Sequence, residues 1–350
     1  MKRAALIGCG RIGAFTRPEL RERLPAGWFP LSHLDAMRMV PQLDVVAAGD
    51  LSSEALVQVK ATFGIPRTYL DFEELLERER IDLLAIATRT PHRTDIIKKA
   101  ISCGVRAIHA EKPIANQMKA TVETLSLCEN ENVFLTYGTT RRYMKVYQTA
   151  KRLIREGEIG ELLEVQIQFG KSYLLWAHPH SIDLMLFFNE ARPIRRVQGL
   201  CDFKKPHGEK IIDEDPVILH ATLQFENGVI GTLSPATGGN VLLLGSKGQI
   251  EIFGEGAEMN LRLQKVGMFG SSGAPISFAT SPSGTLQAFI NLENALENGA
   301  PVGISYAEIM EGMRGLLMIA RSASQNGAFV HPKDLPEQFT VTGNTGGLFA

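Results

Sequence analysis

Lys112 lies in the segment HAEKPIA, directly after the apolar run VRAI. If that run is a buried strand, the ammonium group emerges at its carboxyl end, where open α/β sheets bind their ligands. A lysine there can donate a hydrogen bond to a substrate oxygen, and a lowered pKa lets it exchange a proton. We interpret Lys112 as a catalytic and substrate-binding residue. The alternative is a structural ion pair with Glu111.

The N-terminal segment LIGCGRIG contains a G-x-G-x-x-G pattern directly after an apolar run. In a dinucleotide-binding turn, the first glycine allows the tight bend, the second lets a pyrophosphate approach the backbone, and the third lets helix and strand pack closely. We therefore predict that a helix begins at Arg11 and that this turn binds a dinucleotide. The alternative is an ordinary glycine turn. The predicted contacts are Gly8, Gly10, Arg11, Ile12 and Gly13.

Further cofactor contacts are predicted where the next strands end. Asp50 ends VVAAGD, and its carboxylate would accept hydrogen bonds from ribose hydroxyls and repel a 2′-phosphate, which favours NAD over NADP. Asp50 could instead start the turn before Ser52. The loop ATRTPHR follows LLAIA and could line the nicotinamide half of the site, or be a plain loop in which a proline starts a helix. The predicted contacts here are Thr88, Pro91, His92, Glu111 and Lys112.

The densest cluster of titratable groups in the second half of the chain is WAHPHSIDLML. His180 and Asp183 are three residues apart, so on a helix they share a face. We predict that His180 is the main group exchanging the proton, that Asp183 orients its ring, and that Trp176 offers an apolar face to the substrate. The spacing is unlike that of an H-E-x-x-H metal site, so no metal is expected. His109 is interpreted as structural.

The elements that must hold these residues fall into two groups. Up to about residue 137, near-continuous apolar runs alternate with helical patterns, which is typical of a parallel sheet buried on both faces. Residues 16–30 contain three prolines and interrupt this alternation as an insertion or a broken helix. After Gly138, strand-like runs are joined by turn sequences such as ENG and SKG, which predict antiparallel hairpins.

The predicted fold class is α/β. A Rossmann-type, doubly wound parallel sheet in residues 1–137 binds the dinucleotide. An α+β domain with a large open, mostly antiparallel sheet in residues 138–350 binds substrate and supports oligomerisation.

Composition limits the classes of partner. The 350 residues carry a net charge of −1, with no basic excess for nucleic acid and no polybasic run for a membrane surface. The four cysteines are scattered and suit a reducing compartment. No apolar run approaches the roughly 18 residues of a membrane span. We expect a cytoplasmic protein that acts on a small molecule.

These segments together resemble the Gfo/Idh/MocA family of oxidoreductases. The resemblance rests on LIGCGRIG, AEKPIA, the junction YGTTRRYMKVYQTAKRLIREGEIGELLEV, HSIDLMLFF and LLGSKGQIEIFG. It implies NAD(P), a sugar, cyclitol or related polyol as substrate, and a homo-oligomer (dimer or tetramer). Lys112 matches the lysine of the family's E-K-P motif, His180 the histidine of its D-x-G-x-H motif, and Arg142 a substrate-binding arginine near the domain junction. Trp176 stands where that motif has its acid.

Two functions remain open at this point. The first is a dehydrogenase or reductase that transfers a hydride between a nicotinamide cofactor and a hydroxyl or ketone of such a substrate. The second is a non-catalytic dinucleotide-binding sensor or regulatory protein of the same fold. Lys112 favours the enzyme, and the missing acid at Trp176 favours the sensor.

Overall fold

A computed structural model describes residues 1–265, 268–271, 276–278 and 282–343 of the chain. The predicted second domain extends to residue 350, so part of it lies outside the described residues. The folding pattern follows the apolar runs of the sequence.

The N-terminal half forms one parallel sheet, as predicted. Its strand order is 3-2-1-4-5-6, the order of a Rossmann fold. The strands β4 and β5 are buried along their whole length because helices cover both faces, which explains their continuous apolar sequences. Within the described residues the strands are β1 (Lys2–Ile7), β2 (Leu43–Gly49), β3 (Arg67–Tyr69), β4 (Leu83–Ile86), β5 (Ala107–Ala110) and β6 (Phe134–Tyr137).

The prediction that a helix begins at Arg11 is wrong. Residues 11–14 form turns, and the helical hydrogen-bond ladder does not continue because the inserted segment contains Pro18, Pro25 and Pro30, which lack an amide donor. Instead, helix α2 (His33–Arg38) packs on the turn, and the backbone amides of His33 and Leu34 donate hydrogen bonds to the carbonyls of Ile12 (2.8 Å) and Gly13 (2.9 Å).

The helices of this half are α1 (Leu20–Arg23), α2 (His33–Arg38), α3 (Ser53–Phe63), α4 (Phe72–Arg78), α5 (Thr90–Ser102) and α6 (Met118–Asn130). A short 3-10 helix, Ala26–Trp28, lies in the insertion.

The second half is built on a large open sheet that is mostly antiparallel, as predicted. Both predicted hairpins are present, joining β11 to β12 and β13 to β14. The pair β7–β12 is parallel, and β10 and β18 form a separate pair. The strands, within the described residues, are β7 (Leu162–Gln168), β8 (Ser172–Tyr173), β9 (Ile194–Asp202), β10 (Ile211–Ile212), β11 (Val217–Phe225), β12 (Ile230–Leu233), β13 (Asn240–Gly245), β14 (Gly248–Phe253), β15 (Glu258–Lys265), β16 (Met268–Ser271), β17 (Ile276–Ser277) and β18 (Thr340–Val341).

The helices of this half connect the two domains. The long helix α11 packs on β9 and reaches α6, whereas α10 returns to the first domain and packs on α2, β5 and β6. The Ser283 hydroxyl at the start of α10 donates to the Pro30 carbonyl at 2.7 Å, which fixes the insertion.

The bounds are α7 (Lys145–Arg155), α8 (Leu174–Ala177), α9 (Pro179–Phe188), α10 (Gly284–Asn298) and α11 (Tyr306–Ser324), with further 3-10 turns at Thr140–Tyr143, Gly254–Gly256 and Pro332–Asp334. Among the described residues, no helix is both long and apolar enough to cross a membrane.

Candidate active site

The glycine turn after β1 has the shape of a phosphate cradle. A Cβ on Gly13 would lie 1.9 Å from the Gly8 carbonyl oxygen, so this position must be glycine for the turn to close. Gly8 has a φ of +97° and packs against the backbone of Ala87. A Cβ on Gly10 would meet nothing within 4 Å, so the outer side of the turn is open. The turn therefore fits a pyrophosphate at Gly10, with Arg11 and Ile12 on the same turn.

Asp50 lies beside this turn, at the end of β2. One carboxylate oxygen accepts from the Cys9 amide (2.6 Å) and the other from the Ser52 amide (2.8 Å). Each oxygen keeps acceptor capacity for a further donor. The neighbouring side chain, Leu51, is exposed. The location is that expected of a ribose-binding acid, although Asp50 also starts the turn before Ser52.

The loop after β4 lies against the glycine turn. Thr88 has a buried hydroxyl for which the described residues offer no hydrogen-bond partner. Pro91 and His92 lie in the first turn of α5 and are exposed, so Pro91 does start a helix. Thr88 thus has an unpartnered hydroxyl and lies next to Gly8, whereas Pro91 and His92 are exposed residues of α5.

Arg93 is a site-building residue that the sequence analysis missed. Its fully buried guanidinium donates to the Thr88 carbonyl and to the Pro113 carbonyl. Burial lowers its pKa to about 10. Arg93 therefore ties the loop after β4 to the loop that carries Lys112. Its position four residues after Arg89 on a polar helix start gave no sign of this contact.

Lys112 follows β5 and reaches across to the second domain. Its ammonium group donates to the Trp176 carbonyl and lies 4.5 Å from the centre of the Trp176 ring. Burial lowers the pKa of Lys112 to about 8, with Glu111 and Asp215 opposing the shift and Arg93 and Arg141 adding to it. A lysine with this pKa carries a substantial neutral fraction near neutral pH.

Glu111 holds the backbone beneath Lys112. One oxygen of its buried carboxylate contacts His33 Nε2 at 3.1 Å, and the other accepts from the Lys112 amide at 3.2 Å. Burial favours a raised pKa, but the hydrogen bond and charge of His33 and the charge of Lys112 outweigh it and lower the pKa of Glu111 to about 2. These contacts are with the chain itself. They support a positioning role for Glu111 rather than the cofactor contact predicted from sequence.

His109 is buried, in agreement with its structural interpretation. Its Nδ1 contacts the Thr136 hydroxyl at 2.8 Å, and its ring packs on His33 and on Phe289 of α10. Burial lowers its pKa to about 3, so the ring is neutral. Donor atoms of His33, His109 and Glu111 lie within 4.8 Å of one another, close enough for a metal ion. His33 Nε2 and Glu111 Oε1 contact each other directly at 3.1 Å.

His180 lies in the first turn of α9, in the same cluster as Lys112. Burial lowers the pKa of His180 well below its usual range, and the charges of Arg141 and Lys112 add to the effect. Its Nδ1 is buried, with no hydrogen-bond partner among the described residues. The ring is therefore neutral at physiological pH. This makes it a poorer proton acceptor than the sequence analysis expected, because the best acceptor has a pKa near the working pH.

The predicted pairing of Asp183 with His180 is wrong. The Asp183 carboxylate binds Arg142, with oxygens 2.9 Å from Nη2 and 3.0 Å from Nε. Arg142 is 1% exposed and also donates to Glu308 and to the Gly303 carbonyl. A buried guanidinium requires such partners, because it cannot lose its charge. Asp183 and Arg142 thus form a structural ion pair between the domain junction and α9, rather than catalytic and substrate contacts.

The neighbouring Arg141 takes the place expected for Arg142. Its guanidinium lies 4.7 Å from the centre of the Trp28 ring and 4.4 Å from the centre of the Phe169 ring, and it pairs with the Glu255 carboxylate at 2.5 Å. It is close enough to Lys112 and His180 to lower the pKa of both. Arg141, rather than Arg142, therefore lies in the candidate active site.

Trp176 is 41% exposed. The centre of its ring lies 4.5 Å from the Lys112 ammonium group and 6.0 Å from the Arg11 guanidinium. It thus joins the glycine turn and the lysine to the second domain. Asp215, a further residue that the sequence analysis missed, accepts from the amides of Leu175 (2.8 Å) and Trp176 (3.1 Å). Asp215 fixes α8 and brings a negative charge near Lys112, in the part of the site where the motif's own acid is absent.

Comparison with known proteins agrees with this fold. Residues 2–139 match the model of an oxidoreductase family with an NAD-binding Rossmann fold, and residues 147–259 match the Gfo/Idh/MocA C-terminal domain.

The chain is 29% identical over 171 residues to a D-apiose dehydrogenase of Paraburkholderia graminis and 30% identical over 159 residues to a scyllo-inositol 2-dehydrogenase (NAD(+)) of Bacillus subtilis. These matches cover 49% and 45% of this chain but only 41% and 42% of the relatives, which is less than half of their length.

Among solved structures, scyllo-inositol dehydrogenase from Lactobacillus casei, with bound NAD(H) and scyllo-inositol, superposes with a TM-score of 0.70 at 18% identity. The match covers 95% of this chain and 98% of that one, so the fold is shared over almost the whole length. With both domain models matched in order along the sequence, the chain belongs to the Gfo/Idh/MocA family of oxidoreductases.

Proposed function

We propose that the protein is an NAD(P)-dependent dehydrogenase or reductase that acts on a CH–OH group, or the corresponding ketone, of a sugar, cyclitol or related polyol. The observation that carries this proposal is Lys112. Its pKa is lowered to about 8 at the edge of a nucleotide-binding sheet, beside the neutral imidazole of His180. A protein that only bound a dinucleotide would have no use for an amine poised to exchange a proton.

The residues that would hold the cofactor are those of the glycine turn, Asp50 and Thr88. The open side of Gly10 accepts the pyrophosphate, and the unpartnered Thr88 hydroxyl supplies a hydrogen bond nearer the reacting end. A nicotinamide dinucleotide, when bound, supplies the acceptor or donor of the hydride.

Lys112 and His180 divide the proton chemistry. In its neutral form, the Lys112 amine takes the hydroxyl proton of the substrate and then steadies the oxygen as its charge changes. His180, neutral throughout, keeps the same hydroxyl in place by a hydrogen bond. Trp176 excludes water from one side and offers its exposed ring to the C–H surface of the substrate. Glu111, Arg93 and Asp215 act as positioning residues that fix the two loops and α8.

We propose NAD as the preferred cofactor, because the Asp50 carboxylate would repel a 2′-phosphate and its neighbour Leu51 offers no positive charge to bind one. We also propose that residues 1–137 bind the dinucleotide, that residues 138–350 bind the substrate, and that the open face of the large sheet joins copies of the chain. The exposed Leu200 of β9 supports an interface there.

A panel of polyols, cyclitols and aldoses, each offered with NAD and with NADP, tests the proposal through the absorbance of the reduced nicotinamide. We expect turnover with at least one class and a preference for NAD. The rival function, a dinucleotide-binding sensor, is favoured by the absent acid at Trp176. NADH binding without turnover of any member of the panel would support that rival.

A further inference from the structure

Arg141 has an environment that a structural ion pair alone does not explain. The aromatic rings of Trp28 and Phe169 lie 4.7 Å and 4.4 Å from its guanidinium and offer it no hydrogen-bond acceptors. Glu255 occupies one edge through Nη2. Nε is buried and has no partner among the described residues. The insertion supplies Trp28, whose indole donates to the Glu255 carbonyl at 2.8 Å, so this cage is built from both domains.

Arg141 belongs to the candidate active site by its position in the fold. Lys112 and Arg141 follow the neighbouring strands β5 and β6, which are paired in register at Ala110 and Tyr137. The two cations therefore emerge at the same edge of the sheet. His178 precedes the first turn of α9, and its Nδ1 contacts the Ser181 hydroxyl at 3.1 Å.

The charges around His180 are one-sided. Arg141 and Lys112 both act on its ring, and the place where the family motif has an acid is occupied by Trp176. The N-terminus of the ten-residue helix α9 adds the positive end of its dipole to the same region. Glu255 neutralises part of the Arg141 charge, but Arg141 Nε has no hydrogen-bond acceptor among the described residues.

We infer that the substrate carries a carboxylate, as in a sugar acid or a cyclitol carboxylate, and that the Arg141 edge in its cage of Trp28 and Phe169 binds it. This inference rests on the proposed function and names its substrate class. The carboxylate supplies acceptors to the unpartnered Nε and adds a negative charge beside the guanidinium of Arg141. The reacting hydroxyl then lies at Lys112 and His180.

The test is a set of matched pairs titrated calorimetrically into the NADH-loaded protein: D-glucuronate against D-glucose, D-gluconate against sorbitol, and quinate against myo-inositol. A charge-assisted hydrogen bond to a buried guanidinium should favour the carboxylate of at least one pair by about 10- to 100-fold. Arg141→Gln should abolish that preference. Arg196→Gln is the matched control, because Arg196 also stacks on an aromatic ring (Phe329, 4.2 Å) but lies in β9, outside the site.

Glu255→Gln tests the inference independently if Arg141→Gln does not fold. It keeps the guanidinium and removes a competing carboxylate, so the acidic ligands should bind more tightly. Equal binding within all three pairs, an unchanged preference in Arg141→Gln, or weaker acid binding in a folded Glu255→Gln would overturn the inference.

Turnover of the same ligands with NAD distinguishes a failure of the inferred carboxylate site from a failure of the proposed dehydrogenase function. Oxidation of neutral polyols without any acid preference would leave the dehydrogenase standing and refute the carboxylate. Tight acid binding without oxidation of any ligand would refute the dehydrogenase and leave the carboxylate site.

Discussion

The lowered pKa of Lys112 should govern the pH dependence of oxidation. With a pKa of about 8 instead of 10.5, about a quarter of the amine is neutral at pH 7.5, against about one part in a thousand for an unperturbed lysine. The environment therefore raises the concentration of the proton-accepting form by about 200-fold. We expect kcat/KM for oxidation to rise about tenfold per pH unit below pH 8 and to level above it.

The decisive variant is Lys112→Met, which keeps the length of the side chain and removes its charge. Initial rates at saturating NAD, measured between about pH 6 and pH 10, should fall by about 10²- to 10⁴-fold, and the rise through pH 8 should disappear. Lys98→Met is the control, because Lys98 lies on α5 in an exposed ion pair with Glu123. A wild-type profile that is flat through pH 8, or a variant that keeps the same rise, would refute the assignment of Lys112 as proton acceptor.

Four further outcomes follow from individual contacts. Gly10→Val should fold, because a Cβ there meets nothing within 4 Å, but should lose NADH binding measured by fluorescence. Asp50→Ala should narrow the ratio of NAD to NADP affinity by removing repulsion of a 2′-phosphate. Asp215→Asn should move the pH profile of oxidation to lower pH, because the Asp215 charge raises the pKa of Lys112. Finally, His109 has a pKa of about 3 against 6.5 when unfolded, so its contribution to stability is complete above pH 6.5 and is lost as the pH falls towards 3. Urea titrations should show the wild type losing about 2 kcal/mol more than His109→Gln between pH 7.5 and pH 5.

Each of these has a contrary result. Unchanged NADH affinity in Gly10→Val would show that the pyrophosphate does not bind at the glycine turn. Tighter NADPH than NADH binding by the wild type would show that Asp50 is not the ribose acid. A pH profile of oxidation that is unchanged in Asp215→Asn would show that the Asp215 charge does not act on Lys112. Parallel losses of stability in wild type and His109→Gln would mean that other groups cause the acid sensitivity.

The parallel sheet could be predicted because strands buried on both faces have continuous apolar sequences, as β4 and β5 do. The location of Lys112 followed from the same pattern. The prediction of a helix at Arg11 was wrong because the insertion separates the glycine pattern from the helix that packs on it. The helix begins instead at His33, whose backbone amide donates a hydrogen bond to the Ile12 carbonyl. The periodicity of the sequence cannot show this contact.

The two adjacent arginines show what sequence could not decide. Arg141 and Arg142 share one 3-10 turn, and their roles depend on partners more than 100 residues away. Arg142 meets Glu308 and is buried in a structural pair, whereas Arg141 meets Glu255 and the site. Asp183 was misassigned for the same reason. Its spacing from His180 correctly placed both residues on one helix. Its carboxylate, however, pairs with the buried guanidinium of Arg142, 41 residues earlier in the chain.

The central claim is that Lys112 and His180 act together on one hydroxyl oxygen of the substrate. The most direct measurement is a double-mutant cycle of kcat/KM for the wild type, Lys112→Ala, His180→Ala and the double variant, on a substrate that the wild type oxidises with NAD. We predict a loss of about 10²- to 10⁴-fold in Lys112→Ala, a smaller loss in His180→Ala, and a double variant that loses far less than the product of the two, with NADH affinity nearly unchanged throughout. Full turnover in either single variant, or losses that multiply, would contradict it.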